Sequence, residues 1–585
     1  MKNFFNACVK FTSFLALLNR KSSYSVIKML IFSTIVAVFI TGNNYLLGIV
    51  VDRIEAGYEF FYIALILTLI LTFRIGNRVI SNYYGYYCNK VSLKLTHLIQ
   101  LDILKKIKKI KQECFDYTDN LDLMMRIKRN AAGQSANALT SLSSILNGIL
   151  IVGLYAILLS FISWYITVVL LLSSILSVFI STKFGISAYA LKRRQSKVER
   201  LAGYYESLLL ERPAAKEVRM YGLFDTLLNR WHNYRNGIMR EERVQVTQFT
   251  FLELLGKMVQ ATGFAISIII CGFLVINYES TIGNLVMLIS LGTMFFGYVD
   301  RTTEQIGSVS RFFAFVDDAL AFEEMPEELE DSRHITLRSS PNIEFKDVSF
   351  TYPLAEYEAL KNINVEIASG ETIVCVGENG SGKTTFISLL MGLYEPTKGE
   401  ICICGEPLID IKHQLRAHTA FVAQNFNKYQ MSISDSLFFD RENDNAYEQS
   451  LYETFLDFLK DYPDKQNTYI GQMDSGAIEL SGGQWQRMAI GRALAKPNVQ
   501  LMILDEFTSA LDPIVESKIY EEIKNDIQKF TTIITSHRLG VCSLADRILV
   551  FDNGEIVESG THDDLITKQG VYYNLYNTQS SMFEV

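Results

Sequence analysis

The chain has 585 residues, 49% of them hydrophobic and 20% charged, with a formal net charge of -8. That length exceeds one domain, and the acidic balance argues against nucleic acid as a partner. The eight cysteines are scattered, which implies free thiols rather than a disulfide framework; the one close pair, Cys402 and Cys404, falls on one face of a strand at a spacing unsuited to zinc.

From the start, Phe4, Cys8, Phe11, Leu15 and Leu18 recur at helical spacing beside Lys10, Arg20 and Lys21. No small-residue cleavage site follows, so an amphipathic helix on the inner membrane surface is expected rather than a signal peptide. Six apolar runs then follow: about Val26 to Val50, from near Tyr58 to Phe73, and about Leu142 to Leu159, Tyr165 to Ile180, Met258 to Ile276 and Ile282 to Tyr298. Each is long enough, or nearly so, to cross a bilayer, which takes about 20 residues. Lys and Arg set the orientation. They crowd the stretches Lys90 to Lys111 and Lys192 to Arg200, while Asp52, Arg53, Glu55 and Glu59 lie between the first two runs. The start, the two long basic loops and everything beyond the sixth run are therefore cytoplasmic.

The basic loops read as helices. Val91, Leu95, Leu98 and Ile99 keep a helical rhythm, as do Leu201, Tyr204, Tyr205, Leu208 and Leu209 in Lys192 to Gly222. Both would prolong membrane helices into the cytoplasm. Each breaks near its far end, at Cys114 to Asn120 and at Met220 to Asp225. Aromatic tips of that kind suit a docking surface; solvent-facing loops are the alternative. Glu323 to Ser340 is acidic and polar, with Pro326 inside it and Pro341 after it, as a linker would be. The expected organisation is a membrane α-helical domain over 1–323, a linker over 324–341 and an α/β P-loop nucleotide-binding domain over 342–585.

In the last part, Gly377-Glu378-Asn379-Gly380-Ser381-Gly382-Lys383-Thr384-Thr385 matches the phosphate-loop pattern. Glycines let backbone N–H groups converge on phosphate oxygens, Lys383 reaches the β- and γ-phosphates, and the Thr384 hydroxyl suits Mg²⁺. A strand over Glu371 to Val376 and a helix over Phe386 to Met391 give the loop its context. Leu501 to Leu504 reads as a buried strand ending in Asp505 and Glu506. Asp505 is then placed for the Mg²⁺ shell and Glu506 for polarising an attacking water. Leu480-Ser481-Gly482-Gly483-Gln484 precedes a helical run from Trp485 to Leu494. Its amides suit a second anion, which makes sense if the patch closes over a nucleotide held by another copy.

With these motifs in order, the chain resembles an ABC exporter half-transporter of the type IV fold: six transmembrane helices with long cytoplasmic extensions, fused to one ATP-binding cassette. The resemblance covers nearly all of the chain and implies ATP and Mg²⁺ as cofactors. By that likeness Gly377 to Thr385 is the Walker A loop, including Asn379, Gly380, Ser381, Gly382 and Thr385. Tyr352 is the adenine-stacking aromatic, Gln424 the Q-loop residue contacting Mg²⁺ and the water, and Ser481 to Gln484 the signature. Asp505 is the Walker B ligand, Glu506 the catalytic base, Ser509 to Asp512 the D-loop and His537 the switch histidine. It also implies a second half-transporter chain, in a homodimer or in a heterodimer with a degenerate partner. Its signature Ser481 and Gly483 would cover the phosphate bound by Lys383, and the two helix breaks would be coupling elements. The setting is multi-pass in the cell membrane, among membrane lipid, with the ATP-binding domain cytoplasmic.

Two features resemble exporters of bacteriocins, lantibiotics and related peptides: Lys216-Glu217-Val218-Arg219-Met220-Tyr221-Gly222, and Trp485 directly after the signature. About two dozen residues precede the first run, too few for a leader-cleaving peptidase domain. The implied function is ATP-driven export, by alternating access, of a modified peptide across the bacterial inner membrane. A lipid or multidrug exporter of the same fold and a non-transporting ABC ATPase are the alternatives. Phe507 and Gln472 depart from the family's usual Pro and Glu. Arg74 and Arg78, near Asn77 and Tyr83 to Tyr87, form either a wall for an anionic peptide or a group reaching for the inner interface. Glu253 with Lys257 reads as a structural pair.

Overall fold

The computed structural model describes residues 25–580, apart from 334–336, 338, 440–450, 453–454, 462–464, 473–475, 509–510 and 528. The amphipathic helix expected over Met1 to Lys21 lies outside the described residues, as do Ser509 and Ala510 of the expected D-loop. The chain divides into two units, one of residues up to Lys109 with Leu121–Met325, the other of Ile110–Asn120 with Pro326 onward.

The first unit is built of helices: α1 (Ser25–Glu55), α2 (Phe60–Ile107), α3 (Thr118–Ile162), α4 (Trp164–Leu210), α5 (Arg212–Met220), α6 (Phe224–Ile276) and α7 (Ile282–Glu323). Each expected apolar run is the apolar part of a longer helix. Among the described residues, five carry stretches long and apolar enough to span a membrane, and Trp164–Ile180 on α4 is a shorter apolar stretch. The 48 residues of α2 rise about 72 Å against about 30 Å of hydrocarbon, so the apolar run and the periodic basic segment after it are one rod. The helix expected over Lys192 to Gly222 is interrupted at Glu211, whose backbone is extended (φ -84, ψ 137). Pro213 explains the interruption: it lacks an N–H and is accepted only in a first turn, so a new helix begins there. The other break starts earlier than expected. α2 stops at Ile107, a 3₁₀ turn covers Gln112–Phe115, and α3 begins by Thr118.

Apolar burial and close approach hold these helices together. Ile151, Tyr155, Leu159, Leu288, Leu291 and Phe295 are fully buried in one cluster. Within it Asn44 donates to the Tyr155 hydroxyl at 3.0 Å, and Ser290 donates to Asn44 Oδ1 at 3.4 Å, which satisfies polar groups that hydrocarbon would penalise. Helices α4 and α6 touch through small residues: a Cβ on Gly263 would lie 2.5 Å from Ser173 Cβ, a spacing only glycine allows. Glu253 and Lys257 form the expected pair, at 2.8 Å.

The second unit contains two sheets. Strands β1 (Ile343–Phe350), β2 (Leu360–Ile367), β4 (Lys398–Ile403) and β5 (Glu406–Pro407) form an antiparallel sheet ordered β2-β1-β4-β5. Strands β3 (Thr372–Val376), β6 (Thr419–Val422), β7 (Leu501–Asp505), β8 (Thr531–Thr535), β9 (Arg547–Asp552) and β10 (Glu555–Gly560) form the other, ordered β10-β9-β3-β8-β7-β6. All its pairings are parallel except β10 with β9. Strands β3, β7 and β8 are buried at every residue, as a parallel sheet covered on both faces requires. Alternate residues feed two cores. Val374, Val376, Met502, Leu504 and Ile534 face the cluster around Trp485 and Met488. Ile373, Cys375, Ile503 and Ile533 face the one containing Phe345, Phe386 and Ile401.

The acidic segment after α7 is bound to this unit. Asp331 accepts from the amides of His413 and Gln414 at 3.0 and 2.9 Å, and Arg416 makes a fork to Glu328 at 2.8 and 3.2 Å. The segment Ile110–Asn120 is held there too. Lys111 donates to Pro326 O at 3.1 Å and pairs with Glu395 at 2.9 Å, and Tyr394 donates to Asp116 at 2.9 Å. Cys402 and Cys404 do not share a strand face. β4 ends at Ile403, and Cys404 takes a left-handed turn (φ 53) that leaves it exposed while Cys402 is buried.

Candidate nucleotide-hydrolysis site

The loop Gly377–Gly382 joins β3 to α8 (Lys383–Leu390). Gly377 (φ 153) is the tightest point: a Cβ there would sit 2.3 Å from Phe551 O and 2.7 Å from Ser381 Oγ. Gly380 and Gly382 also have positive φ, 82 and 108, so the loop curls and turns amides inward. The Lys383 ammonium is 5% exposed and donates to Gly377 O and Glu378 O, both at 2.8 Å. Burial pushes its pKa below the ordinary lysine value, against the opposing charges of Glu506 and Asp505. Thr384 is exposed at the mouth of the loop. Thr385 is buried, and its hydroxyl accepts from Tyr352 at 3.2 Å. Tyr352 in turn packs edge-on against Phe350 and Tyr394, at 4.9 and 5.3 Å between ring centroids.

Asp505 closes β7 and is 3% exposed. Burial raises its pKa above the usual carboxylate range, partly offset by the Thr535 hydroxyl that donates to it. Glu506, the next residue, leaves the strand in the left-handed region with φ 46. A non-glycine residue there costs about 1 kcal/mol or more and persists only where its surroundings enforce it. Its N–H donates to Thr535 O at 3.1 Å and Oγ1 at 3.3 Å. The turn aims the carboxylate at two residues far away in sequence. Gln424, just beyond β6, donates Nε2 to Glu506 Oε2 at 2.7 Å, and His537 Nδ1 lies 3.5 Å from the same oxygen. The three residues expected to be catalytic therefore meet at one carboxylate oxygen.

Ser481 caps α9 (Gly482–Leu494) in a capping box: Ser481 N–H donates to Gln484 Oε1 at 2.8 Å, and Gln484 N–H donates to Ser481 Oγ at 3.3 Å. The amides of Gly482 and Gly483 remain at the helix start, where anions bind. Trp485 is 1% exposed in the core below, so it anchors this turn. Among the described residues, no hydrogen bond found joins Ser481–Gln484 to Gly377–Thr385 of the same chain. Phe507 is 2% exposed and packs on Tyr520 at 5.9 Å; Gln472 binds Glu479 at 2.9 Å. Thr535, which holds both Asp505 and Glu506, escaped the sequence reading because a threonine at a strand end carries no pattern. Arg74 and Arg78 on α2 are exposed, and no ion pair or hydrogen bond is found for them among the described residues. Of the tyrosines that follow, Tyr83 and Tyr87 pack on Phe32 of α1, at 5.4 and 6.1 Å, while Tyr83 and Tyr86 stay largely exposed.

Comparison with known proteins places the whole chain among relatives. Residues 26–299 match the family described as ABC transporter transmembrane region, and residues 360–509 match that described as ABC transporter. The chain is 28% identical to the subtilin transport ATP-binding protein SpaT of Bacillus subtilis, over 89% of this chain and 86% of that one. It is 27% identical to the ATP-dependent lipid A-core flippase of Escherichia coli (strain K12), over 86% of each. Its fold is similar to the structure of a bacterial Atm1-family ABC exporter with ATP bound, with a TM-score of 0.79 at 20% identity, covering 96% of this chain and 98% of that one.

Proposed function

Because this chain belongs to the ABC transporters, as an exporter half-transporter with membrane region and ATPase domain fused, we propose that two such chains pair to export a modified peptide from the cytoplasm. The protein is a multi-pass membrane protein with a cytoplasmic ATPase domain, and it couples ATP hydrolysis to export. The observation that carries the peptide assignment is the likeness to the subtilin transport protein along 89% of this chain. The likeness to a lipid A-core flippase over 86% of the chain supports a lipid substrate as the second reading.

In the proposed cycle Tyr352 stacks on adenine, while Lys383 and the amides of Gly377 to Thr385, with the side chains of Asn379, Ser381 and Thr385 nearby, cradle the phosphates. The Thr384 hydroxyl, the Asp505 carboxylate and the Gln424 amide oxygen would hold Mg²⁺. All three are oxygen donors, as a hard cation prefers, and the burial of Asp505 leaves its charge little screened. Bound there, Mg²⁺ would neutralise phosphate charge. Glu506 accepts the proton of the attacking water, and His537 and Gln424 fix its carboxylate. Ser481, Gly482, Gly483 and Gln484 of the second chain close over the γ-phosphate, where their helix N-terminus meets its charge.

The test is ATPase activity and flux in proteoliposomes, with subtilin and lipid A as probes. Stimulation and uptake with subtilin, and neither with lipid A, is the expected result. The reverse pattern would transfer the assignment to lipid export.

A further inference from the structure

Glu516, in the first turn of α10 (Pro513–Ile527), belongs to no motif considered above, yet it is 9% exposed and bonded through both carboxylate oxygens. Oε1 accepts from the Thr508 hydroxyl at 2.8 Å and the Tyr520 hydroxyl at 2.5 Å, and Oε2 accepts from Arg538 Nη1 at 2.5 Å. The Thr508 and Tyr520 hydroxyls are themselves 3.1 Å apart. A buried carboxylate with that many donors and a guanidinium partner is fully compensated.

The positions of its partners give the cluster its meaning. Thr508 is two residues after Glu506, and Arg538 is the residue after His537. Glu506 sits at φ 46 and is fixed on its upstream side by Thr535. Downstream, the restraint is Phe507, buried against Tyr520, and Thr508, held by Glu516. In the segment after β8 the Arg538 N–H is tied to Ser536 Oγ at 2.8 Å, and its side chain to Glu516. One carboxylate therefore grips the segment that carries Glu506 and the segment that carries His537, two of the three residues that meet at Glu506 Oε2.

We propose that Glu516 is a positioning residue for hydrolysis, a brace that holds Glu506 and His537 in register with each other. This rests on the reading of Glu506 as the base. It also accounts for Phe507: without a proline to stiffen the chain after Glu506, the aromatic ring packed on Tyr520 and the Thr508–Glu516 bond supply the stiffness.

The experiment is steady-state ATPase kinetics on the full-length chain in nanodiscs. Glu516→Gln still accepts from Thr508 but loses the charge of the Arg538 pair; kcat should fall about 10-fold with KM for ATP within about twofold, the signature of a lost transition-state arrangement rather than lost binding. Tyr520→Phe should give a smaller fall of the same kind. In the Glu506→Gln background, Glu516→Gln should change the residual rate by less than about twofold, because the brace acts through the missing carboxylate. An unchanged kcat in Glu516→Gln, a rise in KM without loss of kcat, or a full 10-fold further loss in the Glu506→Gln background would each overturn the proposal. Wild-type hydrolysis by Glu506→Gln alone would instead retire the base, and the brace with it. Tyr520→Phe decides the same question if Glu516→Gln does not fold: an unchanged kcat there rejects the brace.

Discussion

Lys383 and Arg74 are both cations singled out by the sequence, yet their surroundings are opposite. Lys383 is almost wholly buried, with carbonyls of its own loop on its ammonium and two carboxylates nearby. Arg74 and Arg78 are exposed on α2, with no partner found among the described residues. In the proposed nucleotide site this chain's own groups are already placed, as suits a ligand that always presents the same phosphates. Its membrane helices are prebuilt only in packing, through Tyr155 and the Gly263 contact, and they leave cations on their surface. The residues proposed for hydrolysis are thus brought together within this chain, whereas nothing comparable marks the parts that would choose a cargo.

Four measurements would break or sharpen that contrast. Lys383→Ala should weaken ATP binding at least about 100-fold and reduce hydrolysis to background, while Arg74→Gln with Arg78→Gln should leave basal hydrolysis within about twofold. Nucleotide titration and ATPase assays check both, and equal losses would erase the distinction. Gly377→Ala meets Phe551 O at 2.3 Å and should destabilise the second unit by about 2 kcal/mol or more, seen as a lower unfolding temperature. Asn44→Ala leaves the buried Tyr155 hydroxyl without its donor and should cost about 1 kcal/mol, read by detergent unfolding.

The smallest effect concerns Asp331. Partial burial works against its charge, but the amides of His413 and Gln414 and the Gln414 side chain hold its carboxyl below the usual range. A depressed folded pKa contributes stability above the unfolded value and loses it as pH falls through the folded one. Wild type should therefore exceed Asp331→Asn in stability above about pH 4, by under about 1 kcal/mol after solvent screening, and acid unfolding should show that difference shrinking as pH falls below it.

How much of this was legible in sequence depends on range. Gly377 to Thr385 is a local pattern, and its geometry follows from its glycines. The meeting of Gln424, Glu506 and His537 spans over a hundred residues, and only the family resemblance placed them together. Glu516 was invisible because its three donors come from a turn, its own helix and the segment after β8, and no spacing rule links them. The break at Glu211 was legible through Pro213, but the helical rhythm after Lys192 outweighed it in the reading. Cys404 was misplaced because alternation assumes that a strand continues, and β4 stops one residue earlier.

The 53 unbroken residues of α6 make a rod about 80 Å long. A rod that stiff has mechanical gain. Tilting it by about 5° about one end carries the other through about 7 Å, roughly the bulk of a side chain, with no hydrogen bond along it broken. Work delivered at one end need not pass through a relay of rearranging contacts; it arrives as displacement.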